Sequence, residues 1–137
     1  MRAFIDTSAL LKKYIHEQGS DKFDQILKNI SEIAVAPTLL LEVRCSVQRR
    51  VHDGIIDLEQ AEFIKQEIKK DCVYFIRVSW DDALEQAALT IIEKYKLKTL
   101  DSIQLASAHL SKADTFVTSD QKLFHVAKKE LKNAVLI

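Results

Sequence analysis

The sequence predicts an α/β fold built on a parallel sheet with helices over both faces. Short β-rich runs alternate along the chain with longer stretches of helical period, the order produced when crossover helices join parallel strands. The runs are mostly apolar from end to end, as strands covered on two sides must be. With 137 residues, 47% of them hydrophobic, the chain suffices for one ordinary core and leaves no room for a second, so a single domain over 1–137 is expected.

The expected strands are residues 2–5, 33–36, 73–78, 115–118 and 134–136. Between the first two, 8–16 and 20–30 read as helices, with Gly19 ending the earlier one. A helical hairpin follows. Pro37 and Thr38 open a helix that runs to about Asp53 and stops at Gly54, and Asp57 caps a second helix through about Lys70. The apolar stripe of the first falls at 40, 43, 47 and 51. Later helices are expected over 80–95, 100–112 and 121–131, with Ser79 and Asp82 resembling a capping box. Only two glycines and one proline occur, and neither a repeat nor a linker-like stretch interrupts the pattern.

Lys and Arg total 20, as do Asp and Glu, so the chain has no overall bias toward polyanions and a nucleic-acid partner must be argued locally. The start reaches an acid at Asp6, too early for the apolar core of a secretory signal, and no apolar run has membrane-spanning length. A cytoplasmic protein without a membrane partner is the expectation. Cys45 and Cys72 fit no Cys-x-x-Cys spacing and read as reduced structural thiols.

Four acids stand out by position. Asp6 and Asp120 each follow an apolar strand, at the strand-to-helix junction where parallel α/β sheets bind ligands. Glu42 interrupts Leu39-Leu40-Leu41-Val43 beside an apolar stripe, where a buried charge needs a partner. Asp101 opens the helical segment Asp101-Ser102-Ile103-Gln104-Leu105-Ala106. Taken singly, each has a plainer role: Asp6, Asp101 and Asp120 as helix caps, Glu42 in an ion pair with a neighbouring base. If the strands before Asp6 and Asp120 are sheet neighbours, all four can meet at one edge. Carboxylates that close raise one another's pKa unless a cation neutralises them, and an all-oxygen set suits Mg²⁺ or Mn²⁺ rather than zinc. Such a pocket supports phosphodiester hydrolysis without a side-chain nucleophile. Hydroxyls of Thr7, Ser8, Thr118 and Ser119 are at hand to orient carboxylates or waters.

The motifs Phe4-Ile5-Asp6-Thr7-Ser8-Ala9-Leu10, Pro37-Thr38-Leu39-Leu40-Leu41-Glu42-Val43, Leu100-Asp101-Ser102-Ile103-Gln104-Leu105-Ala106 and Phe116-Val117-Thr118-Ser119-Asp120 occur in one order over nearly the whole chain. In these the sequence resembles the PIN-domain nucleases, most closely the VapC-type toxins of toxin–antitoxin pairs. The resemblance implies a three-layer α/β/α sandwich with a mainly parallel sheet of four to five strands. It also implies an endoribonuclease that uses Mg²⁺ or Mn²⁺ to cleave single-stranded or loop RNA. Asp6, Glu42, Asp101 and Asp120 would be its catalytic and metal-holding acids, with Ser8 and Ser119 as supporting hydroxyls. Some relatives carry a further acid past the last motif, where this chain has Gln121 and Lys122. A homodimer and a cognate antitoxin, clasped by the helical hairpin, are implied as partners.

Lys12, Lys13, Arg44, Arg49, Arg50 and Lys98 read as solvated surface charges, the aromatic residues Tyr14, Tyr74, Tyr95, Trp80 and Phe124 as core, and the four histidines as non-ligands. With no Gly-x-Ser-x-Gly elbow and only Gly19 and Gly54 in the chain, a serine hydrolase, a phosphate loop and a dinucleotide fingerprint are excluded. A phospho-acceptor domain would want a second acid beside Asp6, where Thr7 and Ser8 stand instead. Two other readings remain: a catalytically silent PIN-fold binding module whose acids are caps, and a housekeeping RNA-processing nuclease.

Overall fold

A computed structural model describes residues 1–137. Five parallel strands form one sheet in the order β3-β2-β1-β4-β5, with β1 at Arg2–Ile5, β2 at Glu32–Val35, β3 at Ile76–Arg77, β4 at Thr115–Thr118 and β5 at Ala134–Leu136. The helices are α1 (Thr7–Leu10), α2 (Ser20–Leu27), α3 (Leu39–His52), α4 (Leu58–Asp71), α5 (Asp82–Lys94), α6 (Thr99–Leu110) and α7 (Gln121–Glu130).

Side chains alternate across a strand, and here the alternation sorts the core into two layers. Ala3, Ile5, Val35 and Val117 face α1 to α4, packing with Leu10, Leu39, Val43, Val47, Ile64 and Ile68. Phe4, Ala34 and Phe116 face the other way, onto Leu84, Ile91, Leu105 and Leu123 of α5, α6 and α7. This is the three-layer α/β/α arrangement, and its sheet is parallel throughout. No helix is long and apolar enough to cross a membrane.

The strand order reverses at β1. The chain proceeds from β1 outward to β2 and β3, then crosses back to lay β4 on the opposite side of β1. Loops leaving β1 and β4 therefore diverge, and the crevice between them at the carboxyl edge is the usual ligand position in an open α/β sheet.

Several boundaries differ from expectation for identifiable reasons. The region expected as strand 73–78 pairs only at Ile76–Arg77, because Cys72–Tyr74 continue α4 as a 3₁₀ turn. Val73 and Tyr74 are left exposed there, as is Trp80, so the latter two aromatics are not core residues. The helix expected over 8–16 is α1 followed by a 3₁₀ turn at Leu11–Lys13, and Tyr14 beyond it donates to Asp71 at the end of α4. Gly19 does not end that helix; it precedes α2 with a φ of 94°, where a side chain would strain the backbone. The stripe of α3 runs through Leu39, Val43 and Val47, leaving Leu40 exposed. Asp81, not Ser79, caps α5 by accepting from the Leu84 amide. Asp57 caps α4 as expected and forms a full capping box with Gln60. Both cysteines are free, though Cys45 lies on the surface.

Candidate active site

β1 and β4 pair in register through Ile5 and Val117, and the Asp6 amide extends the ladder by donating to the Val117 carbonyl at 3.0 Å. Asp6 and Asp120 thus emerge at the same edge, in the crevice where the topology reverses. The condition on which the sequence argument depended is met.

Asp6 is almost fully buried. Its Oδ1 accepts from the Ser8 hydroxyl and from the Ala9 amide at 3.0 Å, capping α1, and its Oδ2 accepts from the Thr118 hydroxyl. Thr118 in turn accepts from the Asp120 amide at 3.0 Å, tying the two strand ends together. Ser8 also accepts from the Ser119 backbone amide at 3.2 Å. Ser8 thus holds Asp6 through its hydroxyl, whereas Ser119 meets this network through its main-chain amide.

Glu42, in the first turn of α3, is half-buried. Its Oε1 accepts from the Thr38 hydroxyl at 2.6 Å and from Gln104 Nε2 at 2.7 Å. Both donors engage one oxygen, and Oε2 makes no hydrogen bond within the protein. Asp120 caps α7 through Oδ1, which accepts from the Leu123 amide at 2.9 Å. Asp6 and Asp120 are thus both helix caps that stand at the carboxyl edge of the sheet. Asp101 sits in the first turn of α6, and the hydrogen bonds of this edge go to Asp6, Glu42 and Asp120 rather than to it.

The electrostatics link the four. Burial raises the Asp6 pKa, against the lowering effect of Ser8, Thr118 and Ala9. Burial is also the main cause at Glu42, where Thr38 and Gln104 pull downward and the charges of Asp6 and Asp101 push upward. Asp101 is raised by burial and then by Asp120, while Lys98 and Lys122 lower it. Charge links the acids in a line, Asp6 to Glu42, Glu42 to Asp101 and Asp101 to Asp120. They do not close into a cage: no three acidic, histidine or cysteine side chains stand together as a ready metal centre.

The donor set fits a hard divalent cation nonetheless. All candidate ligands are oxygens, several of them free of internal hydrogen bonds, and cations of the magnesium class keep much of their water and need few protein ligands. Gln104 adds an independent sign, since its buried Oε1 has no partner within the protein. Gln104 and Thr38 were not singled out from sequence. The available signal was spacing: Gln104 lies three residues after Asp101 on one helix face, a polar side chain among Ile103, Leu105 and Ala106.

These shifts give a pH prediction. A carboxyl whose folded pKa is raised holds its proton longer in the native state than in the unfolded chain. Its contribution to stability is complete below the unfolded value and is lost as pH rises through the folded one. Glu17, Asp71 and Glu130 are shifted the other way, so their contribution is lost only on acidification below the ordinary carboxylate range. In EDTA, the melting temperature should fall as pH rises above the ordinary carboxylate range, and Mn²⁺ should restore more of it as these acids ionise. A flat profile, unaffected by Mn²⁺, would show that burial and the neighbouring charges do not raise these carboxyls.

The PIN domain family profile matches residues 3–129. Among curated proteins, none matches the chain by sequence. Solved structures with the same fold include a toxin–antitoxin complex from Klebsiella pneumoniae, at 20% identity and a TM-score of 0.68 over 89% of each chain. The VapC20 toxin of Mycobacterium tuberculosis, described as cleaving the sarcin–ricin loop, superposes with a TM-score of 0.68 at 15% identity, over 95% of this chain and 97% of its own. VapBC2 of Rickettsia felis, solved with a DNA fragment from its promoter, gives a TM-score of 0.65 at 14% identity, over 100% of this chain and 98% of its own. At such identities the likeness is one of fold.

Proposed function

The chain belongs to the PIN domain family, and on that premise we propose that it is a metal-dependent endoribonuclease acting as the toxin of a VapC-type toxin–antitoxin pair. The observation that carries the reading is the line of Asp6, Glu42, Asp101 and Asp120 at the carboxyl edge of β1 and β4, three of them raised by burial and two of those also by neighbouring acids. Acids held at such cost to the metal-free protein are accounted for by a cation that offsets their repulsion.

Asp6, Glu42, Asp101 and Asp120 would hold Mg²⁺ or Mn²⁺. When bound, the cation supplies Lewis-acid stabilisation of the charge that builds on the phosphate and leaving oxygen as water attacks phosphorus. Asp6 is fixed in place by Ser8, Thr118 and the Ala9 amide, so its carboxylate needs no reorganisation. Glu42 Oε2, both oxygens of Asp101 and Asp120 Oδ2 accept no hydrogen bond within the protein and would be available to the cation. Lys98 and Lys122, whose charges reach Asp101, would attract the phosphates of an RNA bound there.

A partner surface accords with the antitoxin part of this reading. The loop between α3 and α4 and the first half of α4, with Tyr14 and Ile15, line a groove of about 640 Å³ bordered by Ile55, Ile56, Phe63 and Ile64. Ile55 and Phe63 are 64% and 65% exposed, an apolar surface suited to a helix laid into a groove. The antitoxin would dock there, and the toxin would act as a homodimer in the cytoplasm.

The test is incubation of the purified chain with total cellular RNA in Mn²⁺, Mg²⁺ or EDTA. Discrete fragments that form only with metal are expected. Intact RNA under all three conditions, from a chain that melts cooperatively, would refute the nuclease.

A further inference from the structure

We infer that Gln104 is a positioning residue of the acidic pocket, aiming the Glu42 carboxylate at the cation from a second layer of contacts; the inference rests on the metal-dependent reading above. Gln104 is 3% exposed, lies in the middle of α6 and touches none of the reacting groups that the reading assigns to Asp6, Asp101 or Asp120. A glutamine so deeply buried needs its amide satisfied on both sides, since an unpaired polar group costs its lost hydration. Only one side is satisfied. Nε2 donates to Glu42 Oε1 at 2.7 Å and, more weakly, to Thr7 Oγ1 at 3.3 Å, while Oε1 finds no donor in the protein.

The assignment of the two amide atoms follows from chemistry. Ionised Glu42 only accepts, so the amide must present its nitrogen, and the carbonyl is thereby turned to the unpaired side. Thr38 donates to the same Oε1 from the start of α3, and the two donors approach from different elements, α6 and the α3 N-terminus. A carboxylate held at one oxygen from two directions cannot swing, and its Oε2 presents a single, fixed ligand atom. The Gln104 carbonyl, which finds no donor in the protein, lies on the side away from Glu42, so the amide acts on the pocket through its nitrogen alone. Groups that orient a ligand in this way usually change metal affinity by about 10- to 100-fold when removed.

The experiment is Mn²⁺ titration by calorimetry of the wild type, Gln104→Leu, Glu42→Gln and the double variant, each first stripped with EDTA and checked for cooperative melting. Gln104→Leu should weaken Mn²⁺ binding about 10-fold in the wild-type background. In the Glu42→Gln background the same change should shift the dissociation constant by less than about 2-fold, because Gln104 acts through Glu42. Equal losses in both backgrounds, or no loss in the first, would overturn the inference while leaving the metal site standing. A wild type that binds no Mn²⁺ would overturn the metal-dependent reading and this inference with it. Should the Leu variant fail to fold, Gln104→Met, whose unbranched chain follows the glutamine's path, takes its place in the same cycle.

Discussion

Asp101→Asn should lower RNA cleavage about 100- to 1,000-fold while leaving the metal-free protein as stable as the wild type or slightly more so. The loss follows from removing a charge that would hold the cation, with the magnitude typical of deleting one preorganised electrostatic group. The neutrality toward folding follows from what Asp101 touches. Its carboxylate makes no internal hydrogen bond at this edge, and its charge is opposed by Asp120. Asparagine keeps the volume and relieves that repulsion, against a loss of about 0.3–1 kcal/mol of favourable interaction with the α6 dipole. Asp6→Asn should be equally inactive but less cleanly so. Thr118 donates to Asp6 Oδ2 while accepting from the Asp120 amide, and an asparagine NH₂ at that position would leave the threonine hydroxyl proton unpaired. That substitution should cost about 1–3 kcal/mol of stability. Cleavage rates beside thermal melts of the two variants check both statements; an Asp101→Asn enzyme of wild-type rate would remove Asp101 from the site.

Phe116→Ala should cost about 3–5 kcal/mol, a large part of the 5–15 kcal/mol that usually separates a folded domain from its unfolded chain. Phe116 is 1% exposed at the centre of the sheet, directly opposite Phe4, with ring centroids 5.8 Å apart and planes inclined by 12°. Both rings fill the layer beneath Leu84, Ile91, Leu105 and Leu123. Alanine would leave a cavity there that rigid flanking strands cannot close. Phe116→Leu retains most of the volume and should cost much less. Urea unfolding reads the difference, and nearly equal midpoints for Phe116→Ala and wild type would contradict the packing described. The effect reaches the site, because β1 and β4 carry Asp6 and Thr118 immediately past these rings.

How much was legible beforehand depended on how far each feature is local. β1, β4 and β5 were readable at their observed bounds because apolar runs of three or four residues between turn-forming residues have few other uses in so short a chain. The Val73–Val78 region was misread because β-branched and aromatic residues mark a strand-like surface without saying whether anything covers it. There Tyr74 is 83% exposed and only two residues pair, at the edge of the sheet. The four acids were legible because each sits where an element begins or ends, and such positions survive errors of a residue or two. Their supports were only half legible. Ser8 and Thr118 adjoin their acids in sequence, whereas Gln104 meets Glu42 across 62 residues, a contact that exists only once α6 packs beside β2 and the start of α3.

The most direct test of the central claim is the cleavage rate on a labelled RNA oligonucleotide carrying a site mapped from the total-RNA digest. Wild-type protein would be assayed in Mn²⁺, then with EDTA in excess, then with Mn²⁺ restored. Cleavage at one phosphodiester should stop with EDTA and return with Mn²⁺, and Asp101→Asn should show none at any stage. Cleavage that persists in EDTA, or that Asp101→Asn performs as well as the wild type, would contradict a cation-dependent site built on these acids.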